Sequence, residues 1–305
     1  METHSKTFSG PTLEEAPLGS RPTALILTGG AAMGSWQGGF LYSLEKTHGV
    51  PFHSVVGISA GSINGAAYLQ DDTEVLKTVW CDIPRGVFMR LSPRLRPPSL
   101  LSLSVVGDFL KTLIDEERCR RRRRCWFYVV SVDIRNGGTI QAEYSPDPKG
   151  PWDAPMLDYV QGSIAVPFLF PPKEMPPSNG FPPRSLVDGH VTSFTFLKPL
   201  VERGVRDFLF VSVLDLRRPR RPPFTLVRYM SALVEQMMRA QVDNSLALFR
   251  DLAQARDLRA FEFAPSEPLD IGVFTFNRKE CRRSFYQGLS DADACLTDPG
   301  RHRIL

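Results

Sequence analysis

The stretch Val55-Val56-Gly57-Ile58-Ser59-Ala60-Gly61-Ser62-Ile63-Asn64-Gly65-Ala66 decides how this chain folds. Apolar residues, several of them β-branched, run into a Gly-x-Ser-x-Gly, and small residues run out of it. That is the pattern of a buried strand, a tight turn and a helix with Ser59 at the apex. A serine on such a turn projects its hydroxyl outward, and Gly57 and Gly61 let strand and helix pack closely. The helix N-terminus behind it offers free N–H groups and a positive dipole end to a developing anion. Ser59 is therefore the candidate nucleophile. A small-residue turn that only packs has the same spelling, so the rest of the chain must decide.

Toward the N-terminus, residues 23–28 (TALILT) read as a buried strand and residues 36–46 as a helix. With a strand over 52–58 and a helix over 60–69, the order is β-α-β-α. This demands a parallel pair joined by a right-handed crossover. The C-terminal ends of the two strands then lie side by side. The loop Gly29-Gly30-Ala31-Ala32-Met33-Gly34 emerges there, beside Ser59. A dinucleotide cradle would need Gly-x-Gly-x-x-Gly and an acid about twenty positions on. Ala31 breaks that spacing, and the second strand ends in Gly57-Ile58-Ser59. The loop reads instead as an oxyanion hole, with N–H groups of Gly29, Gly30 and Ala31 joined by that of Ala60.

Toward the C-terminus, a helix is expected over 73–80, an irregular Pro- and Arg-rich excursion over 84–98, and over 100–113 a helix or pair of helices whose apolar residues read as core packing, with a lid or acyl-chain wall as the alternative. Residues 125–134 form the strongest strand, and 136–138 turn it back into 139–144. A helix over 153–163 leads into 165–172 (AVPFLFPP), a rigid apolar segment that either crosses the core or walls an apolar pocket. Residues 185–190 then form a short strand ending at Asp188-Gly189-His190. A carboxylate at such a strand end, beside a serine elbow, can take the serine's proton; an Asx-turn has the same spelling. Strands over 207–215 and 259–263, a long helical region over 225–258 with Met230 and Met237 in its core face, and a helix over 276–296 complete the chain.

At 305 residues the chain is long enough for one large core. Residues 1–21 read as a flexible lead-in and 22–305 as a single domain, motif-bearing over 23–215 and helical over 216–305. The net charge of +4 is unevenly spread. Arg118 with Arg120 to Arg124, and Arg217, Arg218, Arg220 and Arg221, form two basic runs that read as solvated loops and attract anionic phosphates. The five cysteines show no Cys-x-x-Cys and no accompanying His cluster. This argues against a disulfide framework or a metal site and for a reducing, cytoplasmic setting. The first twenty residues hold no apolar h-region, and no apolar run reaches the ~20 residues of a transmembrane helix, so any membrane contact is peripheral. Of the five histidines, only His190 is placed to serve Ser59. A Ser-Asp dyad fits more simply than a Ser-His-Asp triad.

These three motifs, in this order, resemble the patatin-like phospholipase family. That family joins a Gly-rich oxyanion loop to Gly-x-Ser-x-Gly and a distant Asp-Gly pair. The resemblance covers about residues 23–215 and rests on the Gly29–Gly34 loop, on Gly57-Ile58-Ser59-Ala60-Gly61 and on Asp188-Gly189. It implies an α/β three-layer sandwich with a mostly parallel central sheet and helices on both faces. It also implies a serine acyl hydrolase working through Ser59 and Asp188 without cofactor or metal, on phospholipid or lysophospholipid rather than nucleic acid. The basic runs would then dock it on an anionic membrane surface. Two departures stand out. Ala31 and Met33 occupy positions where the family carries a glycine and a basic residue, and His190 stands where a small residue is usual, as a modulator of Asp188. They motivate an alternative, a catalytically silent lipid-binding or interaction protein on the same fold. A dinucleotide-binding oxidoreductase is a distant third.

Overall fold

The apolar runs become the strands of one eight-stranded sheet in a computed structural model. It describes residues 18–177, 181–191, 197–213 and 257–304, with single positions between 229 and 250. The strands are β1 (Thr23–Leu27), β2 (Ser54–Ile58), β5 (Trp126–Asp133), β6 (Thr139–Tyr144), β7 (Lys173–Met175), β8 (Arg184–Asp188), β9 (Asp207–Val211) and β10 (Arg259–Phe263). A separate hairpin pairs β3 (Leu91–Leu95) with β4 (Pro98–Leu101). The helices are α1 (Gly34–Ser43), α2 (Ala60–Leu69), α3 (Glu74–Cys81), α4 (Leu103–Leu113), α5 (Glu116–Arg122), α6 (Met156–Ser163), α7 (Leu197–Glu202) and α8 (Arg278–Thr297).

The large sheet runs β10-β9-β1-β2-β5-β8-β7, with β6 on β5. Its first five strands are parallel, and β6, β7 and β8 are antiparallel additions. The fold is thus mixed α/β with a mostly parallel central sheet. β1 and β2 are buried along their whole length, as strands covered on both faces must be. Their side chains alternate between two cores. Leu25, Leu27 and Val55 face a core with α1, α2 and α8, while Ala24, Ile26 and Val56 face Leu200 and Val201 of α7 and Phe249.

α1 is buried on nearly all sides because α8 lies directly against it. A Cβ on Gly39 would sit 1.8 Å from the Phe285 carbonyl oxygen, and one on Gly288 would sit 1.9 Å from that of Trp36. Beneath the Gly29–Gly34 loop, a buried polar network ties three helices together. Trp80 Nε1 donates to Asn64 Oδ1 (2.7 Å), and Asn64 Nδ2 donates to Gln37 Oε1 (3.0 Å) and the Gly34 carbonyl (3.1 Å). Gln37 Nε2 in turn holds the carbonyls of Thr28 (2.9 Å) and Val211 (2.8 Å), where β1 and β9 end.

Two expectations are corrected here. The Pro- and Arg-rich stretch 84–98 is not wholly irregular. It contains β3 and opens β4, because Leu91, Leu95 and Leu101 sit in strand geometry despite the prolines. α4 accordingly begins only at Leu103. The basic run at 118–124 is not a solvated loop. It lies on and just past α5, which Asp115 caps by accepting the Arg118 N–H at 3.0 Å. There Arg118 pairs with Asp72 (3.0 Å) and Arg124 with Glu45 (2.7 Å) and Asp71 (3.1 Å). The second basic run and the methionines of the long helical region fall outside the described residues.

Candidate active site

Two strand ends meet on β5. β2 runs along one edge of β5 until Ile58 stands opposite Val130. β8 approaches that edge from the other direction and ends with Asp188 opposite Ser131, the next residue. β6 fills the other edge of β5 over Phe127–Val132, so β2 and β8 share one lane head to head. The two residues singled out from the sequence, 129 positions apart in the chain, are brought together by consecutive pairings on one strand.

At the β2 end, Ser59 has φ 52° and ψ −125°, a left-handed backbone that L-residues adopt only under constraint. The constraint is visible. A Cβ on Gly61 would lie 2.1 Å from the Leu27 carbonyl oxygen, and one on Gly57 would lie 2.5 Å from Ser62 Cα, so only glycine permits these approaches. The Ser59 N–H donates to Ser163 Oγ (2.9 Å), and Ser163 Oγ donates to the Val130 carbonyl (2.6 Å). Ser163, at the end of α6, therefore pins the elbow to β5. Nothing in the sequence marks it, because a serine at a helix end is commonplace.

At the β8 end, the Asp188 N–H donates to the Ala165 carbonyl (3.0 Å). Asp188 Oδ1 accepts from the His190 N–H (2.9 Å) and from His190 Nδ1 (3.0 Å). With Nδ1 as donor, Nε2 carries the lone pair, and it accepts the Gly29 N–H at 3.0 Å. The network thus assigns His190 as the neutral Nδ1–H tautomer. Gly29, Ser59 and His190 crowd one point. A Cβ on Gly29 would lie 2.0 Å from His190 Cε1 and 2.6 Å from Ser59 Cβ. Both members of the suggested dyad are nearly closed to solvent, Ser59 at 5% and Asp188 at 4% exposed. Among the described residues the Ser59 hydroxyl donates to no side chain, and Asp188 presents Oδ2 without a partner.

The loop after β1 distributes its N–H groups unequally. That of Gly29 goes to His190, that of Ala32 to the Val273 carbonyl (2.9 Å) and that of Met33 to the Gly30 carbonyl (3.0 Å). Those of Gly30 and Ala31 have no partner among the described residues, nor has that of Ala60 at the first turn of α2. Of the four oxyanion donors expected from the sequence, three remain open and Gly29 is occupied. Ala31 has φ 49°, so the alanine in place of glycine sits in left-handed backbone. Gly34 lets α1 approach α2, since its Cβ would lie 2.6 Å from that of Ala60. Gly189 fits the turn against β5, 2.5 Å from the Val130 carbonyl oxygen by the same measure.

A narrow apolar cavity of about 30 Å³ opens at Ser59, Ala60 and Ala31. Its walls include Trp80, Phe88, Leu101, Val166, Leu169 and Phe170. The apolar segment after α6 thus walls a pocket, one of the two roles its composition allows. The space holds one or two waters, and an acyl chain would have to part its outer wall. The five cysteines are buried and free, and burial pushes the thiols of Cys119 and Cys125 up to about 12, which leaves them inert. No helix among the described residues is long and apolar enough to cross a membrane.

The family model described as patatin-like phospholipase matches residues 25–201. No curated protein sequence matches the chain. The solved structures that resemble it include these two. One is VipD from Legionella pneumophila, at 12% identity and a TM-score of 0.45, covering 94% of this chain and 68% of that one. The other is the type III effector protein ExoU, at 13% identity and a TM-score of 0.42, covering 94% of this chain and 55% of that one. The chain therefore spans only about half of ExoU.

Proposed function

The chain belongs to the patatin-like phospholipase family, and on that footing we propose that it is a serine acyl hydrolase of membrane lipid esters, with Ser59 as nucleophile and Asp188 as base. The observation that carries the reading is the head-to-head meeting of β2 and β8 on β5. It sets the strained elbow beside a buried carboxylate, under a loop with open N–H groups.

Asp188 Oδ2 takes the proton of Ser59 as the hydroxyl oxygen attacks the ester carbonyl. The base must come within about 2.6–3.2 Å of that hydroxyl, or looser before substrate binds. The oxyanion of the tetrahedral intermediate accepts from the N–H groups of Gly30, Ala31 and Ala60, aided by the α2 dipole. The alcohol half leaves with the proton, and water then cleaves the acyl-serine by the same path. His190 is a positioning residue. It holds Asp188 through Oδ1 and leaves Oδ2 for the serine. The apolar cavity suits the acyl chain of a phospholipid or lysophospholipid, met at an anionic membrane surface from the cytoplasmic side. The catalytic unit is taken as residues 22–305.

One observation favours a second reading of the base. The His190 tautomer, with Nδ1–H on Asp188 and a lone pair on Nε2, is also the one a Ser-His-Asp triad needs. There Nε2 would exchange the Gly29 N–H for the Ser59 hydroxyl. Fatty-acid release from phospholipid vesicles separates the two. Ser59→Ala and Asp188→Asn should each lose about 10⁴-fold in rate. His190→Ala should lose less than about 10-fold if the dyad acts directly, because general-base loss costs about 10²–10⁴. A loss in His190→Ala equal to that in Asp188→Asn moves the base to Nε2. A wild type inert on every ester overturns the hydrolase reading in favour of a lipid-binding protein.

A further inference from the structure

The described surface has nine large apolar side chains in the open, and five of them cluster: Met89, Leu91, Leu95, Leu100 and Phe168. Leu95 is 92% exposed, Leu91 75% and Phe168 66%. Leu91, Leu95 and Leu100 belong to the β3–β4 hairpin, Phe168 to the loop after α6, and Met89 to the turn just before β3. The two are one structure, because the N–H groups of Leu100 and Leu101 donate to the Leu169 carbonyl (3.1 and 2.8 Å) and Ser99 bridges to Phe168. Phe168 is held outward with φ 67°. Between Arg94, Leu95, Leu100 and Phe168 lies a shallow concavity of about 420 Å³.

Strand alternation makes these elements two-sided. In β4, Leu100 points out while Leu101 points in and walls the cavity at Ser59. In the neighbouring loop, Phe168 is outside while Leu169 and Phe170 line that cavity. The exposed apolar face is thus the outer side of the same wall that an acyl chain must part.

The charge of the patch selects its occupant. From Ile83 to Gly107 the sequence holds Arg85, Arg90, Arg94 and Arg96 and not one Asp or Glu. All four arginines are exposed, and none makes an ion pair among the described residues. The run at 118–124 differs in part: Arg120, Arg121 and Arg122 are exposed, but its other three arginines are held. Arg118 and Arg124 are taken up by Asp72, Glu45 and Asp71, and Arg123 holds the carbonyls of Ser145 and Asp147 (both 2.8 Å). Pro93, Pro97 and Pro98 remove N–H donors from the hairpin, so its edges are poor templates for an added strand.

We propose that the β3–β4 hairpin and the Phe168 loop dock on an anionic lipid bilayer, the leucines and Phe168 entering the interface and the four arginines meeting lipid phosphates. This deepens the lipid-hydrolase reading and rests on it for its purpose, though not for its test.

The test is sedimentation with phosphatidylcholine vesicles, with and without one quarter phosphatidylglycerol, using the full chain carrying Ser59→Ala so that no lipid is consumed. Binding to the anionic vesicles should be at least about tenfold tighter than to the neutral ones and should weaken with salt. Leu91→Ser with Leu95→Ser should lose most of it, and Arg90→Ala, Arg94→Ala and Arg96→Ala together should lose about fivefold per arginine. In the Ser59 background, the same variants should turn over a soluble short-chain p-nitrophenyl ester at the wild-type rate. Vesicle binding unchanged by either set overturns the proposal. So does self-association of the wild type that the leucine pair abolishes, which would make the patch an interface between copies. An inert esterase that still binds vesicles through these residues sinks the hydrolase reading and leaves the docking surface standing.

Discussion

The two strand ends that meet on β5 are held by different physics. The β2 end is fixed by backbone: a strained Ser59, two glycines against neighbouring main chain, and an N–H pinned by Ser163. The β8 end, besides its main-chain bond to Ala165, is held by titratable side chains, with His190 on Asp188 at its tip and Asp133 along its flank. A nucleophile needs one position in space, and main-chain contacts supply it without regard to pH. A base needs a carboxylate free on one oxygen, so its supports are hydrogen bonds whose strength depends on charge. The difference teaches which residues can be changed without moving the other end.

The largest expected effect tests the β2 end at its bond to β5. Ser163→Ala removes the acceptor of the Ser59 N–H and the donor to the Val130 carbonyl, both buried. Each group left unpaired costs about 1–3 kcal/mol. Thermal unfolding should show a loss of about 2 kcal/mol or more, and esterase activity should fall as the elbow relaxes. Unchanged stability and activity would mean that the glycine contacts alone hold the elbow.

The next test is on the β8 side and depends on pH. Asp133 is 1% exposed. Burial by itself would raise its pKa. Hydrogen bonds from the Ser185 N–H (3.0 Å), the Asn136 amide (2.7 Å) and the Arg135 N–H (3.0 Å) outweigh that and hold it below the usual value of 3.8. A carboxyl depressed in the folded state adds stability above its unfolded pKa and loses it as pH falls through the folded one. Wild-type stability should therefore decline below about pH 3.8. Asp133→Asn should be less stable at pH 7, with the gap closing in acid. A gap that stays constant with pH would show that the side chain holds β8 by shape and not by charge.

Much of this was legible in the sequence, for reasons that mirror the comparison. β1, β2, α2 and β6 fall where the pattern puts them, since continuous apolar runs and a glycine-flanked serine leave few alternatives. Ser59 and Asp188 could be singled out because each ends a short apolar strand. What brings them together was not legible. The pairing of β8 with β5 is antiparallel and long-range, and no local residue spells it. Ser163 acts through two hydrogen bonds and the Val273 carbonyl through one, and any serine or any residue can make these. The basic run at 118–124 shows the opposite failure. A charge run is plain in sequence, but whether it is free depends on acids at 45, 71 and 72 that only the fold brings near. The hairpin at 91–101 was hidden by its prolines, which normally argue against strands.

The smallest expected effect concerns left-handed backbone at two residues that both border the cavity. Ser59 and Ala31 have φ 52° and 49°. At Ser59 the strain carries a side chain proposed to do chemistry, so relieving it with glycine removes function. At Ala31 the proposed role belongs to the N–H alone, and the methyl group, packed at the edge of the core, adds strain in return for modest burial. The left-handed conformation costs an L-residue about 1–2 kcal/mol, partly offset by the greater unfolded freedom of glycine. Ala31→Gly should therefore gain about 1 kcal/mol, a rise of about 2–4 °C in melting temperature for a domain of this size. Esterase activity should stay within about threefold of wild type. Ser59→Gly should show a similar gain in stability with activity abolished. If Ala31→Gly instead loses stability, the methyl packs against the core more favourably than the backbone is strained. The loop would then be held by its side chain, which would put the β1 end with the β8 end and not with the elbow.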